Sequence, residues 1–269
     1  MKLVLFSKMF QEMPMEKLAD FIASLKLDGV DLTVRPGGYI EPKDVKRKLP
    51  DAVEIFASRG LQVAMVTTSI VSADEPYAEE TFSAAADLGV KYVKLGYWHY
   101  RGFGHLWKQI EEARENLKGI ERLCKEYNLT AGVHTHSGMF LTAEAAVVRL
   151  LLEGFDPEYV GAYIDPGHMV VEGGLAGWLM GMDLLSDRIT IVAVKDFGWF
   201  KTEKGWVARV IPLGEGLVPW EEVFKILKSL GFEGPVSLHS EYEEVGLSEI
   251  AELTRRDAAY VKEILRRIK

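Results

Sequence analysis

Four of the six histidines in this chain cluster with carboxylates at the ends of short apolar runs: Val133-His134-Thr135-His136, Ile164-Asp165-Pro166-Gly167-His168 and Leu238-His239-Ser240-Glu241. Two more runs end in charge, Asp31-Leu32-Thr33-Val34-Arg35 and Val194-Lys195-Asp196. In an extended chain, residues two apart share a face, so His134 projects with His136, and His239 with Glu241. Strand rise puts the first pair of imidazoles about 6 to 7 Å apart. Imidazole and carboxylate together are the ligands of one divalent metal ion: Mn²⁺, Co²⁺, Zn²⁺ or Fe²⁺, with Mg²⁺ admitted where oxygens dominate. The neighbouring charges have a bland reading and a functional one. Lys195 could pair with Asp31 or Asp165, or hold a substrate oxygen. Arg35 could be solvated, or could anchor a carboxylate or phosphate. Asp196 reads as a loop cap. Trp98, Trp199 and Trp206 could pack a rim or stack on the carbons of a sugar.

The segments that must position these groups recur at intervals of roughly 30 residues as a strand-sized apolar run followed by a helical pattern. The predicted strands are 2–6, 29–34, 62–67, 92–96, 130–134, 161–165, 189–195 and 236–241. Between them lie helices such as 107–127, where Ile110, Ala113, Leu117, Ile120 and Leu123 recur at three- and four-residue spacing. A last helix places Ile250, Leu253, Val261 and Ile264 inward. Eight strand–helix units in a single domain over residues 1–269 predict an α/β fold, the (β/α)₈ TIM barrel. An open doubly wound sheet would carry a glycine-rich turn after its first strand, and Ser7-Lys8-Met9-Phe10 is no such turn. In a barrel of this kind, active sites form where the strands end, which is where the polar residues fall.

Composition narrows the partners. A net charge of -8 disfavours nucleic acid and anionic lipid. No apolar run approaches the roughly 20 residues of a membrane span, and the amino terminus lacks a signal-peptide pattern. The single cysteine, Cys124, can form no internal disulfide, in keeping with a reducing, cytoplasmic setting.

The order and spacing of Gly29-Val30-Asp31-Leu32, Ile164-Asp165-Pro166-Gly167-His168, Val194-Lys195-Asp196, Pro212-Leu213-Gly214-Glu215-Gly216 and Gly234-Pro235-Val236-Ser237-Leu238 resemble the xylose isomerase-like superfamily of TIM barrels. The resemblance runs through nearly the whole chain. It implies a sugar or polyol substrate and, in the epimerase branch, one divalent metal held by Glu, Asp, His and Glu on the fifth to eighth strands. In that branch the two glutamates move a proton through a metal-stabilised enediolate.

Carried over by position, Asp165 matches the aspartate, while His134 stands at the first glutamate, Ala193 at the histidine and His239 at the second glutamate, with Glu241 two residues beyond. The expectation is therefore a rebuilt metal site of His134, Asp165, His239 and Glu241. His136 and His168 then serve as acid and base alongside Glu241, and Lys195 steadies a developing negative charge. The activity so implied is isomerisation or epimerisation of a free or phosphorylated sugar or polyol. A dehydratase is the alternative, and a sugar-binding barrel that has lost its metal is a third reading, suggested by Ala193. The endonuclease branch needs further histidines that Met65-Val66-Thr67-Thr68 does not supply. Barrels of this kind often pair, so a homo-oligomer is expected.

Overall fold

The computed structural model describes residues 1–268. Its strands are β1 (Lys2–Phe6), β2 (Gly29–Thr33), β3 (Gln62–Thr67), β4 (Tyr92–Lys94), β5 (Thr130–His134), β6 (Val160–Ile164), β7 (Ile189–Val194), β8 (Asp196–Thr202), β9 (Gly205–Ile211) and β10 (Pro235–Leu238). All but β8 and β9 are parallel and close into an eight-stranded barrel. Neighbours follow in sequence, and β10 closes the ring between β7 and β1. Eight helices form the outer layer: α1 (Met15–Ser24), α2 (Val45–Ala57), α3 (Ala78–Asp87), α4 (Leu106–Tyr127), α5 (Ala145–Leu152), α6 (Pro166–Leu185), α7 (Trp220–Ser229) and α8 (Leu247–Arg267). The predicted architecture is the observed one.

The strands divide their side chains between two cores because alternate residues face opposite ways. Val192 and Val194 of β7 belong to the large apolar layer between sheet and helices, whereas Ile191 and Ala193 point into the barrel beside Met65 and Tyr163. The next inward positions, one layer nearer the strands' carboxy-terminal ends, are Lys195 beyond β7, Asp165 beyond β6 and His239 beyond β10. Apolar packing below and polar groups above follow from the register itself. In α4 the residues Ile110, Ala113, Leu117, Ile120 and Leu123 are buried, as their spacing predicts.

One element departs from expectation. After Lys195 the chain forms an antiparallel hairpin, β8 with β9, outside the barrel. Its turn is short, with Gly205 at φ 108°, and Thr202 donates its hydroxyl to the Gly205 carbonyl. Asp196, at the base, accepts from the backbone N–H groups of Phe197, Gly214 and Val218 at 3.0, 3.1 and 3.1 Å. It caps the loop that leads to α7. Gly216 is required there: a Cβ would lie 2.1 Å from the Asp196 carboxylate. No described helix is long and apolar enough to cross a membrane.

Candidate active site

The strand ends deliver a dense cluster of ionisable groups to the barrel mouth. Asp165 is fully buried at the N-cap of α6, where its Oδ1 accepts from the His168 backbone N–H at 3.1 Å. The helix is started by Pro166 at its first position, which costs no hydrogen bond there. Gly167 permits the tight approach of this turn to β7, since a Cβ would sit 2.5 Å from the Lys195 carbonyl oxygen.

Lys195 lies between the two principal carboxylates. Its Nζ is 2.6 Å from Glu241 Oε2 and 3.3 Å from Asp165 Oδ2, and the side chain is 3% exposed. Glu241 Oε1 is held at 2.6 Å by Lys8, from the turn after β1. Burial by itself raises the pKa of a carboxyl, but the Lys195 ammonium together with the neighbouring imidazoles outweighs it, so both Asp165 and Glu241 are held well below the usual carboxylate range. Reciprocally, burial disfavours the Lys195 cation, and the two carboxylates more than compensate, raising its pKa.

The histidines behave in the opposite way. Burial pushes His134 and His168 well below the ordinary imidazole value, and burial reinforced by Lys195 takes His136 down to about 4. The His136 and His168 rings are inclined at 36° with centroids 3.9 Å apart, a contact that two cations would oppose. Tyrosine hydroxyls orient two other rings: Tyr97 at 2.7 Å from His134 Nδ1, and Tyr163 at 2.8 Å from His239 Nε2. Both phenols are pushed well above their usual pKa by burial, so both stay protonated. His134 also stacks on Tyr163 at 4.2 Å and His239 on Phe6 at 4.3 Å.

These side chains surround a cavity of about 60 Å³, lined by Arg35, His134, His136, His239 and Glu241 among others. His168, Lys195 and Asp165 stand just behind that lining: the His168 ring lies tilted against His136, and Lys195 holds Glu241. Sequence reasoning missed six residues of the wall: Phe6, Lys8, Thr67, Lys94, Tyr97 as an imidazole partner, and Tyr163. Lys94 is 2% exposed, with its Nζ 3.4 Å from the centre of the Tyr97 ring. Burial, aided by Arg35, drives its pKa well below that of an ordinary lysine. A signal was available, since Lys94 interrupts the apolar end of a strand as Lys195 does.

Three expected aromatic contacts do not line this cavity. Trp98 packs against the outer core. Trp199 and Trp206 lie on the hairpin, 43% and 63% exposed, and Trp199 borders a different groove with Trp178 and Leu217. The unexpected hairpin carries both away from the strand ends.

The rebuilt metal site is likewise not assembled. Among the described residues no three His, Cys, Asp or Glu side chains are placed to hold a metal ion. His134 Nε2 does approach Asp165 Oδ2, at 3.4 Å, and neither atom has a hydrogen-bond partner. Glu241, however, is taken by two lysines, and both nitrogens of His239 face protein groups, Tyr163 at 2.8 Å and Glu241 at 3.4 Å. A cation already sits between the carboxylates. The donor set therefore does not fit a divalent ion.

Residues 19–264 match the family described as xylose isomerase-like TIM barrel. A curated relative, inosose dehydratase 2 of Bacillus cereus, is 24% identical over 138 residues, 47% of this chain and 45% of the relative. The match thus spans about half the length of that protein. Among solved structures, the apo form of 3-keto-D-glucoside 4-epimerase from E. coli superimposes with a TM-score of 0.76 at 15% identity, covering 98% of this chain and 99% of the other. A xylose isomerase-like TIM barrel protein from Mycobacterium smegmatis in complex with magnesium gives 0.71 at 12% identity, covering 99% and 97%. The family match over residues 19–264 leads to one conclusion: this chain belongs to the xylose isomerase-like TIM barrel family.

Proposed function

We propose that the protein is an isomerase or epimerase that transfers a proton on a free or phosphorylated sugar or polyol. The observation that carries this reading is a single cavity with an imidazole held near pKa 4, His136, on one wall and an ionised carboxylate, Glu241, on another. β5 and β10 supply them, with β6 and β7 in between, so they approach a ligand from different sides. His136 is about as basic as a carboxylate and is unprotonated at neutral pH. It removes the proton from the carbon beside a carbonyl, whose oxygen takes the electron pair; the resulting imidazolium gives the proton to the former carbonyl carbon while the neighbouring hydroxyl passes its own proton to that oxygen and becomes the new carbonyl. Return of a solvent proton to the other face, through a water oriented by the Glu241 carboxylate, with His136 losing its proton to solvent, gives the epimer. Arg35 supplies a guanidinium at the rim for a phosphate or carboxylate.

The cavity of about 60 Å³ has room for on the order of four water-sized groups, against roughly 300 Å³ or more for a pocket enclosing a whole ligand. The reacting carbons and their oxygens enter the barrel, and the rest of the substrate lies above it. A dehydratase is the second reading, favoured by the partial match to inosose dehydratase 2.

The test is incubation with a panel of free and phosphorylated ketoses, aldoses and cyclic polyols in D₂O. Deuterium should enter carbon without loss of water, and His136→Asn should slow this by about 10²- to 10⁴-fold. A dehydrated keto product would move the assignment to the lyase. No exchange with any substrate would overturn it.

A further inference from the structure

We propose that the Lys195 ammonium occupies, as part of the chain, the place of a divalent cation between Asp165 and Glu241, so that the protein neither binds nor needs a metal at this site. The chemical half of this inference rests on the proton-transfer reading above; the binding half stands on geometry alone. Lys195 Nζ lies between both carboxylates, 3.3 Å from Asp165 and 2.6 Å from Glu241. Two carboxylates, Asp165 and Glu241, meet two ammonium groups, Lys195 and Lys8, so the cluster is neutral as built. A divalent ion would add two positive charges beside Lys195 and Asp165, 3% and 0% exposed, where solvent screens them poorly.

The surroundings agree. The inward residue of β7 one layer below is Ala193, which packs with Met65, Tyr163 and Ile191 and offers no donor. His239 has both ring nitrogens engaged. His134 Nε2, His168 Nε2 and Lys195 Nζ approach the same Asp165 oxygen at 3.4, 3.7 and 3.3 Å, so the open side of that carboxylate is already crowded. An ammonium has three N–H donors. One is donated to Glu241 Oε2, none closes a hydrogen bond to Asp165 Oδ2, and a free N–H can meet a substrate oxygen on which negative charge develops. A fixed cation of this kind requires no loading and cannot be chelated.

Metal content and Mn²⁺ binding test the proposal without reference to turnover. Wild-type protein purified without added metal should carry no stoichiometric divalent ion, and millimolar Mn²⁺ should produce neither calorimetric heat nor a shift in unfolding midpoint. Lys195→Met empties the space between the carboxylates and should bind Mn²⁺ about tenfold or more tightly than wild type. Adding Asp165→Asn to that variant should remove the gain. One equivalent of metal in wild type that Asp165→Asn abolishes would overturn the proposal, as would a folded Lys195→Met protein with no gain. If Lys195→Met does not fold, the wild-type metal content decides alone. Turnover of wild type unaffected by EDTA supports both the metal-free site and the reaction class. Absence of turnover on every sugar overturns the reaction class and leaves the binding result standing.

Discussion

Lys195 and Lys94 are both lysines at the mouth of one barrel, 3% and 2% exposed, yet their amines are driven in opposite directions. Burial disfavours both cations to begin with. Lys195 is rescued because Asp165 and Glu241 lie within 3.3 Å. Lys94 has no such ion pair among the described residues: it lies over the Tyr97 ring with Arg35 repelling it, while Asp31 and Glu241 attract it only in part. Depth is the same; the position of the carboxylates decides. One lysine thus serves as a permanent cation, and the other is biased towards a neutral amine on the cavity wall.

Removing the better-paired lysine should have the largest consequence. Lys195→Met leaves Asp165 buried without its counter-charge, and breaking such a pair costs about 3–5 kcal/mol. Denaturant unfolding at pH 7 without added metal should show that loss; a change below about 1 kcal/mol would mean the two lysines are not electrostatically distinct.

Lys94→Met should cost much less, within about 1.5 kcal/mol, because it removes a cation that burial already penalises. pH separates the pair further. The folded pKa of Lys94 lies below the 10.5 of a free lysine, so between those values the unfolded chain binds more protons and stability rises with pH. That rise should vanish in Lys94→Met. The folded pKa of Lys195 lies above 10.5, so its contribution is complete below 10.5 and is lost as pH climbs through the folded value. Unfolding curves from neutral to alkaline pH would show opposite slopes, and equal slopes would erase the contrast.

The smallest effect is expected outside the mouth. Trp206→Ala, on the exposed hairpin, should change stability by no more than about 0.5 kcal/mol and leave turnover unchanged. A tenfold fall in turnover would bring the hairpin back into the site.

Much of this arrangement is legible from residue order. Alternation along His134-Thr135-His136 and His239-Ser240-Glu241 places those pairs on the inner face, and all four side chains line the cavity. Asp165 reads as the junction of strand and helix from the proline that follows it. Lys94 and Tyr163 escape notice because a lone lysine or tyrosine in an apolar run reads as packing until its neighbours are known. Trp199 and Trp206 are misplaced by sequence reasoning because a two-residue turn after Thr202 sends their segment outward, a local choice that strand–helix counting does not detect.

Strand periodicity and the spacing of eight units determined the barrel and the end of it that bears chemistry, since both follow from interactions between residues near in sequence. Which charges would meet was decided only in three dimensions. Lys195 is separated from Glu241 by 46 residues and Lys8 from Glu241 by 233. Ring closure by β10 between β7 and β1 is what brings them within hydrogen-bonding distance. Coulomb energy depends on that distance and on local screening, and residue order specifies neither.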